Sequence, residues 1–242
     1  MVNYRKLIIL ISLLVSCQAH AFEWPRLTAK SWLVADGTGK IIDGSNMDQV
    51  RSIASISKLM TVMVVLDAQQ PMDQKIGLFT REQLIEMALV HSDNKAALTL
   101  CDEYPNGAAE CHKAMNAKAH ALNMPNTKFV EASGLSVFNV STASELIKLV
   151  LAAKEYPKIV EASQLSEVKI QIKKRWFVFR NTNPIIGKKH KFIISKTGYI
   201  KASGGCIVMM LDTDIGQRIV IVMGSKNTHT RIPEAEFIAE NY

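Results

Sequence analysis

Residues 53–66 read IASISKLMTVMVVL, a serine-x-x-lysine tetrad that runs directly into an apolar segment. The large apolar residues recur at helical spacing until residues 69–71 (QQP) end the pattern. The stretch therefore predicts an apolar helix with Ser55 at its start, where backbone N–H groups favour a developing negative charge. One helical turn would place Lys58 on the same face as Ser55, so that a neutral amine there could take the hydroxyl proton.

The tetrad is a weak signal by itself, because residues 92–95 and 166–169 fit the same pattern. In isolation it also fits an N-cap serine followed by a surface lysine. Two further motifs supply context: Ser92-Asp93-Asn94 falls between two predicted helices, and Lys196-Thr197-Gly198 lies inside a strand-like run. The three motifs occur in this order in serine acyl-enzymes, so their combination is far more specific than any one of them.

Predicted strands lie towards both ends of the chain. A hairpin is expected from residues 31–36 and 41–46, and later strand-like runs cover residues 168–172, 176–179, 192–200, 206–211 and 218–224. Helices are predicted at 80–91, 95–104, 108–122, 142–156 and 233–240, two of them opened by capping boxes at Thr80 and Thr142. The expected fold is α/β, of the α+β kind. One antiparallel sheet would be closed by both termini, with a helical lobe inserted at about residues 70–160.

Composition favours one globular domain. The 242 residues are 48% hydrophobic and 21% charged, which allows a sizeable core. Basic residues are scattered except at 173–175 and 188–190, and we interpret both clusters as solvated faces rather than as a nucleic-acid site. The chain has no C-x-x-C pair and no close histidine pair, so neither a metal nor another cofactor is expected.

Residues 1–21 have the pattern of a secretory signal peptide. Arg5 and Lys6 precede an apolar run at 7–16, which is too short to span a bilayer, and an Ala-His-Ala cleavage site follows at 19–21. The expected mature chain, residues 22–242, is periplasmic, has no transmembrane segment and carries a net charge of +5 instead of +7, because Arg5 and Lys6 leave with no acid. Residues 14–17 (LVSC) resemble a lipid box, which keeps a lipid anchor on Cys17 as the lesser alternative.

Two of the cysteines leave a question open. Cys101 and Cys111 bracket a turn at residues 104–107 (YPNG), and an oxidising compartment would permit a local disulfide between them. Two free thiols fit equally well, because the Cα separation cannot be read from sequence. Cys206 lies in an apolar strand-like run and is expected to be a buried small hydrophobic residue.

Residues 53–61 (IASISKLMT) closely resemble the nucleophile segment of the low-molecular-mass penicillin-binding proteins. Residues 132–135 (ASGL) with Asn139 and 141–143 (STA), and residues 195–200 (SKTGYI), resemble the D-alanyl-D-alanine peptidases. Residues 114–119 (AMNAKA) and 181–183 (NTN) are similar more narrowly to DD-endopeptidases of the penicillin-binding protein 7 type. The resemblance implies a penicillin-binding, β-lactamase-like transpeptidase fold and a single peptidase domain at residues 22–242.

The resemblance also implies a role for each motif residue. Ser55 would be the acylated nucleophile, Lys58 its proton acceptor, and Ser92 the group that passes a proton to the leaving amine. Asn94 would hold the substrate amide, Lys196 and Thr197 would bind the carboxylate beside the scissile bond, and Gly198 would let the substrate backbone approach. The backbone N–H groups of Ser55 and Tyr199 would form the oxyanion hole. The proton path among Lys58, Ser92 and Lys196 stays open.

The implied activity is hydrolysis of D-alanyl cross-links between peptidoglycan peptide stems, with β-lactams as covalent inhibitors. D-alanyl-D-alanine carboxypeptidase is the alternative; only 44 residues (199–242) follow Gly198, which favours the endopeptidase over carboxypeptidases with a further β domain. A class A β-lactamase is disfavoured, because no glutamate has an asparagine four residues later. A catalytically silent wall-binding module is the alternative from another class, and the complete motif set argues against it.

Overall fold

The structure, a computed structural model, describes residues 27–242. The expected signal peptide, its cleavage site and Cys17 lie outside the described residues. None of the helices within residues 27–242 is long and apolar enough to cross a membrane.

The described chain has strands towards both ends and mainly helices between them. The strands are β1 (Ser31–Asp36), β2 (Ile41–Ser45), β3 (Arg51–Ser52), β4 (Lys75–Ile76), β5 (Phe79–Thr80), β6 (Val140–Ser141), β7 (Glu167–Ile172), β8 (Arg175–Arg180), β9 (Lys191–Ile200), β10 (Gly204–Thr213) and β11 (Gly216–Ser225). The helices are α1 (Ser57–Asp67), α2 (Arg81–Leu89), α3 (Asn94–Asp102), α4 (Ala108–Ala121), α5 (Ala143–Ala153), α6 (Pro157–Gln164) and α7 (Arg231–Asn241), and a single 3₁₀ turn at Ala54–Ile56 precedes α1.

The central sheet has five antiparallel strands in the order β2-β1-β11-β10-β9. The antiparallel sheet expected from sequence is thus confirmed, and β1 from the start of the described chain pairs with β11 near its end. β9, which carries residues 196–198, lies at one edge of this sheet and pairs with β10. An edge strand can present its free side to a cleft.

Alternation along the strands gives the sheet two apolar faces. Leu33, Ala35, Val208, Ile221 and others face the helices α1 to α6 in the larger core. Val34, Ile207, Val220 and their neighbours pack against α7 in a second, smaller core. Residues two apart on a strand share a face, so the sheet is covered on both sides. The molecule therefore has three layers: the helical lobe, the sheet and the C-terminal helix.

Helix α1 lies at the centre of the larger core. Every residue from Ser57 to Val65 is buried, which explains why its sequence is apolar on nearly all sides. Thr80 and Thr142 cap α2 and α5 as predicted: Gln83 N donates to Thr80 Oγ1 at 3.1 Å, and Glu145 N donates to Thr142 Oγ1 at 3.1 Å. Only the first is a complete capping box, because the Glu145 carboxylate accepts from Asn126 N and Thr127 Oγ1 instead.

Two sequence-based expectations were wrong in detail. The helix predicted at 142–156 ends at Ala153, and a separate helix, α6, begins at Pro157. Tyr156 is extended (φ −103°, ψ 104°), as a residue before proline prefers, and proline at the first helical position starts a new helix. The strands β7 and β8 form a hairpin of their own and do not join the five-stranded sheet.

The open question about the cysteines is resolved by α3 and α4. Cys101 and Cys111 form a disulfide, with their Cα atoms 5.4 Å apart. Cys206 is a free, buried cysteine on β10, as expected from its apolar surroundings.

Candidate active site

Ser55 occupies the middle of the 3₁₀ turn that leads into α1. The residue before it, Ala54, has φ +47°, a left-handed conformation that is costly for a residue with a Cβ. Ser57 Oγ donates to the carbonyl oxygen of Ala54 at 2.8 Å, and Asn139 Nδ2 donates to Ser57 Oγ at 2.9 Å. These buried contacts hold the turn, so that Ser55 is presented in one orientation at the head of the helix.

Lys58 is fully buried one turn further on. Its Nζ donates to Ser55 Oγ at 2.8 Å, to Asn94 Oδ1 at 2.8 Å and to the carbonyl oxygen of Ser133 at 2.5 Å. Burial lowers the pKa of Lys58 to about 8, and the carboxylates of Glu131 and Asp93 partly oppose that shift. At pH 7, Lys58 is then neutral in about a tenth of the molecules. The neutral amine can keep two donated bonds and turn its lone pair to Ser55.

Lys196 forms the second lysine–serine pair of the site. Its Nζ donates to Ser92 Oγ at 2.8 Å and to the carbonyl oxygen of Thr197 at 3.1 Å. Burial lowers the pKa of Lys196 well below its ordinary value, and the positive charges of Lys58 and Arg231 lower it further. Ser92 itself has φ +60° in the segment between α2 and α3, a strained conformation of the kind found at functional sites.

Asn94 lies two residues after Ser92 of the second pair and binds Lys58 of the first. It opens α3, where Asp93 is the N-cap and accepts from Ala96 N at 2.7 Å. The helix start therefore sets the position of Asn94, whose Oδ1 is bound by Lys58.

The β9 edge closes the site from the other side. Thr197 Oγ1 and Thr182 Oγ1 lie 2.6 Å apart. A Cβ on Gly198 would lie 2.9 Å from the carbonyl oxygen of Ile53 and 3.0 Å from Ser55 N, so only glycine lets the strand approach the turn this closely. Tyr199, the next residue, is 45% exposed and borders open solvent.

Arg231 at the start of α7 supports the same strand from behind. It is 6% exposed, and its Nη1 donates to the carbonyl oxygen of Gly198 at 2.7 Å. The sequence carried no signal for this contact, because Arg231 lies 33 residues after Gly198 in a segment without a motif.

Sequence reasoning also missed Glu131. Its carboxylate accepts from Ser133 N at 2.6 Å, Ser133 Oγ at 2.6 Å, Gly134 N at 2.6 Å and Asn139 Nδ2 at 3.1 Å. One side chain thus folds the loop that aims the Ser133 carbonyl at Lys58. The only available signal was position: Glu131 directly precedes the Ala-Ser-Gly-Leu segment at 132–135.

The other copies of the motifs lie elsewhere. Lys95 of the second tetrad is exposed, and Lys169 of the third pairs with Glu167 on β7 at 3.4 Å. Residues 225–227 (SKN) also fit the serine-x-asparagine pattern, but Ser225 contacts Thr230 Oγ1 at 2.6 Å, beside the start of α7. The fold therefore brings together Ser55, Lys58, Ser92, Asn94, Lys196, Thr197 and Gly198, and leaves the alternatives out.

Among residues 27–242 one group of side chains has metal-ligand character. Ligand atoms of His190, Glu236 and Glu240 lie within 4.8 Å of one another, and Lys189 also pairs with Glu240. This group shares no residue with the serine–lysine site, whose geometry is suited to nucleophilic and acid–base chemistry by protein groups alone.

Comparison with known proteins agrees with this geometry. Residues 18–78 and 72–227 match the family model described as D-alanyl-D-alanine carboxypeptidase, peptidase family S11. The chain is 39% identical over 235 residues to a D-alanyl-D-alanine endopeptidase of Escherichia coli K12, covering 87% of this chain and 76% of that protein. It is 37% identical over 233 residues to a D-alanyl-D-alanine endopeptidase of Pseudomonas aeruginosa, covering 86% and 75%.

Solved structures are similar over most of the chain. Penicillin-binding protein D2 of Listeria monocytogenes, in its cefotaxime-bound form, superposes with a TM-score of 0.80 at 27% identity, covering 89% of this chain and 97% of that one. The DD-transpeptidase of Streptomyces K15 superposes with a TM-score of 0.82 at 22% identity, covering 89% and 97%, which bears on the fold alone. The expected penicillin-binding fold is confirmed.

Proposed function

The chain belongs to the D-alanyl-D-alanine carboxypeptidase family of serine peptidases, and from that premise we propose that it is a DD-endopeptidase of the cell wall. Its substrate would be the D-alanyl bond that cross-links two peptidoglycan peptide stems. Two endopeptidase relatives, at 39% and 37% identity, support the cross-link as target over the terminal D-alanine.

The observation that carries the proposal is the contact of Lys58 Nζ with Ser55 Oγ at 2.8 Å. In the acylation step Ser55 Oγ attacks the D-alanyl carbonyl carbon while its proton passes to neutral Lys58. The lowered pKa of Lys58, about 8, makes that neutral form accessible near neutral pH. The backbone N–H groups of Ser55 and Tyr199 would stabilise the oxyanion, which is supported by the close approach of Gly198 to Ser55 N.

Breakdown of the tetrahedral intermediate needs a proton on the leaving amine. Ser92 would donate it, and Lys196, bonded to Ser92 Oγ at 2.8 Å, would help to replace it. The C–N bond then breaks and leaves an ester on Ser55. Water attacks this ester, the new carboxylic acid leaves, and Ser55 regains its proton.

Substrate binding would use the β9 edge and α3. Lys196 and Thr197 would bind the carboxylate beside the scissile bond, and Asn94 would hold the substrate amide. Thr182, bonded to Thr197 Oγ1, would orient that hydroxyl. We further propose that β-lactams acylate Ser55, as the cefotaxime- and ampicillin-bound forms of the Listeria relative suggest, and that residues 1–21 export the chain to the periplasm.

The test uses two soluble substrates and one label. Wild-type protein is expected to cleave cross-linked muropeptide dimers faster than it releases D-alanine from pentapeptide monomers, and to bind fluorescent penicillin covalently. Ser55→Ala should lose cleavage and labelling, whereas Ser166→Ala, an exposed serine of another tetrad, should keep both. Faster pentapeptide trimming would instead identify a carboxypeptidase, and absence of labelling would overturn the acyl-enzyme.

A further inference from the structure

The β7–β8 hairpin begins and ends beside the active site. Asn181 N, just after β8, donates to the carbonyl oxygen of Ser166, just before β7, at 2.8 Å. The next residue, Thr182, contacts Thr197 Oγ1 at 2.6 Å. His91, next to Ser92, donates from its Nδ1 to the carbonyl oxygen of Arg180 at 3.1 Å. Strands of this length extend the hairpin about 20 Å from its base.

The register of the hairpin separates two faces. Val168, Ile170 and Phe179 lie on the face that packs against the helical lobe. The cross-strand pairs Gln171–Trp176 and Lys169–Val178 lie on the other face. Trp176 is 65% exposed and Val178 is 49% exposed, so an aromatic ring, an amide and an apolar side chain stand side by side in solvent.

The turn of the hairpin is basic. Lys173, Lys174 and Arg175 are consecutive and exposed. Among residues 27–242, none of these three side chains forms an ion pair, whereas Lys169 pairs with Glu167 at 3.4 Å. Consecutive cations without acidic partners repel one another, and an anionic ligand would relieve that repulsion.

We infer that the outer face of the hairpin (Lys169, Gln171, Trp176 and Val178) and its basic turn form a second binding surface for the wall polymer, outside the catalytic cleft. This inference rests on the proposed function. The apolar face of a sugar ring stacks on an exposed indole, and its hydroxyl groups bond to a neighbouring amide, which matches Trp176 and Gln171. Carboxylates of adjoining peptide stems match the cations of the turn. The occupant is therefore a glycan strand that carries anionic peptides.

The arrangement fits this polymer better than a membrane surface. An element that lies in a membrane interface buries one apolar face and carries its cations on the opposite face. Here Trp176 and Val178 share their face with Gln171 and Lys169, and the cations of the turn form the tip. A long polymer lying from the cleft along the hairpin would touch both features in turn.

The experiment measures binding of the folded protein to purified, insoluble peptidoglycan sacculi by co-sedimentation. Trp176→Ala and the triple variant Lys173→Ala/Lys174→Ala/Arg175→Ala should each bind about tenfold more weakly, an effect of the size expected for one aromatic or ionic contact. Added salt should weaken wild-type binding and leave the triple variant little changed. The matched control, Lys40→Ala/Lys113→Ala/Lys226→Ala, removes the same charge from other surfaces and should bind like wild type.

Two further readouts separate this inference from the proposed function. Fluorescent penicillin labelling and cleavage of soluble muropeptide dimers should be unchanged in both hairpin variants, since both react at Ser55 and neither carries the long glycan strand that the outer face would bind. Hairpin variants that bind sacculi like wild type, or a wild type that binds anionic phospholipid vesicles in place of sacculi, would overturn the inference while labelling persists. Loss of labelling in the wild type would instead contradict the proposed function.

Discussion

Lys196 Nζ and Ser92 Oγ lie 2.8 Å apart, although 104 residues separate them in the chain. The pair joins the edge strand β9 to the segment between α2 and α3. It stands beside a second serine–lysine pair, Ser55 and Lys58, which share one helix start. Burial lowers the pKa of both lysines, and for Lys58 the value of about 8 makes the neutral amine accessible near neutral pH.

Removing the Lys196 amine should slow acylation strongly. We expect Lys196→Ala to lower the second-order rate of fluorescent penicillin labelling by about 10²–10⁴-fold, the range for loss of a positioned proton-transfer or charge-binding group. Lys191→Ala, on the same strand but exposed, is the matched control and should react like wild type. Equal rates for the two variants would show that Lys196 has no part in acylation.

The acylation rate should depend on pH through Lys58. Its neutral form is the proton acceptor, so the rate should rise about tenfold per pH unit below pH 8 and level off above it. The measurement is the rate of penicillin labelling between pH 5.5 and 9. A rate that falls over this range as pH rises would contradict the assignment of Lys58.

Glu131 should set the pH range over which the acylation rate rises, called here the rising limb. Its carboxylate raises the pKa of Lys58, so Glu131→Gln removes an opposing effect and should shift the limb to lower pH. The same change weakens the bonds to Ser133 and Gly134, so we also expect a lower Tm. Glu155→Gln, at an exposed glutamate just after the end of α5, should alter neither the pH dependence of the rate nor the Tm. An unshifted limb in Glu131→Gln would show that its charge does not reach Lys58.

Gly134 should be the least replaceable glycine near the site. Its φ is +82°, and a Cβ there would lie 2.0 Å from the carbonyl oxygen of Ala54. Gly134→Ala should lower the free energy of unfolding by about 3 kcal/mol or more and abolish labelling. Gly187→Ala is the control, because Gly187 also has a positive φ, +76°, but its Cβ would meet nothing within 4 Å. Gly187→Ala should lower the free energy of unfolding by only about 1 kcal/mol. Equal losses in the two variants would show that the close approach of Gly134 to Ala54 has no effect on stability.

The disulfide between Cys101 and Cys111 should stabilise the helical lobe. It closes a loop with a sequence separation of 10, for which the loop-closure model gives about 2–3 kcal/mol. Cys101→Ala/Cys111→Ala should therefore unfold at lower denaturant concentration than wild type under oxidising conditions. Reductant should destabilise the wild type and leave the double variant unchanged. A wild type insensitive to reductant during unfolding would contradict a structural role.

Local features of the sequence predicted much of the fold. Thr80 and Thr142 cap helices where expected, because a cap needs only residues three positions apart. Apolar runs separated by glycines and acids predicted the strands β9, β10 and β11, because such runs also depend only on neighbouring residues. The helix predicted to end at Tyr156 ends at Ala153, and α6 was not predicted, although proline at its first position and the extended backbone of Tyr156 mark its start.

By itself the sequence determined the helix that begins beside Ser55, the one-turn spacing to Lys58 and the order of the three motifs. These depend on helical periodicity and on residues near one another in the chain. Only the tertiary structure decided which of three serine-x-x-lysine tetrads meets Asn94 and the β9 edge, and that Glu131 and Arg231 support them. It also set both lysine pKa values, because burial and neighbouring charges arise when distant segments pack together.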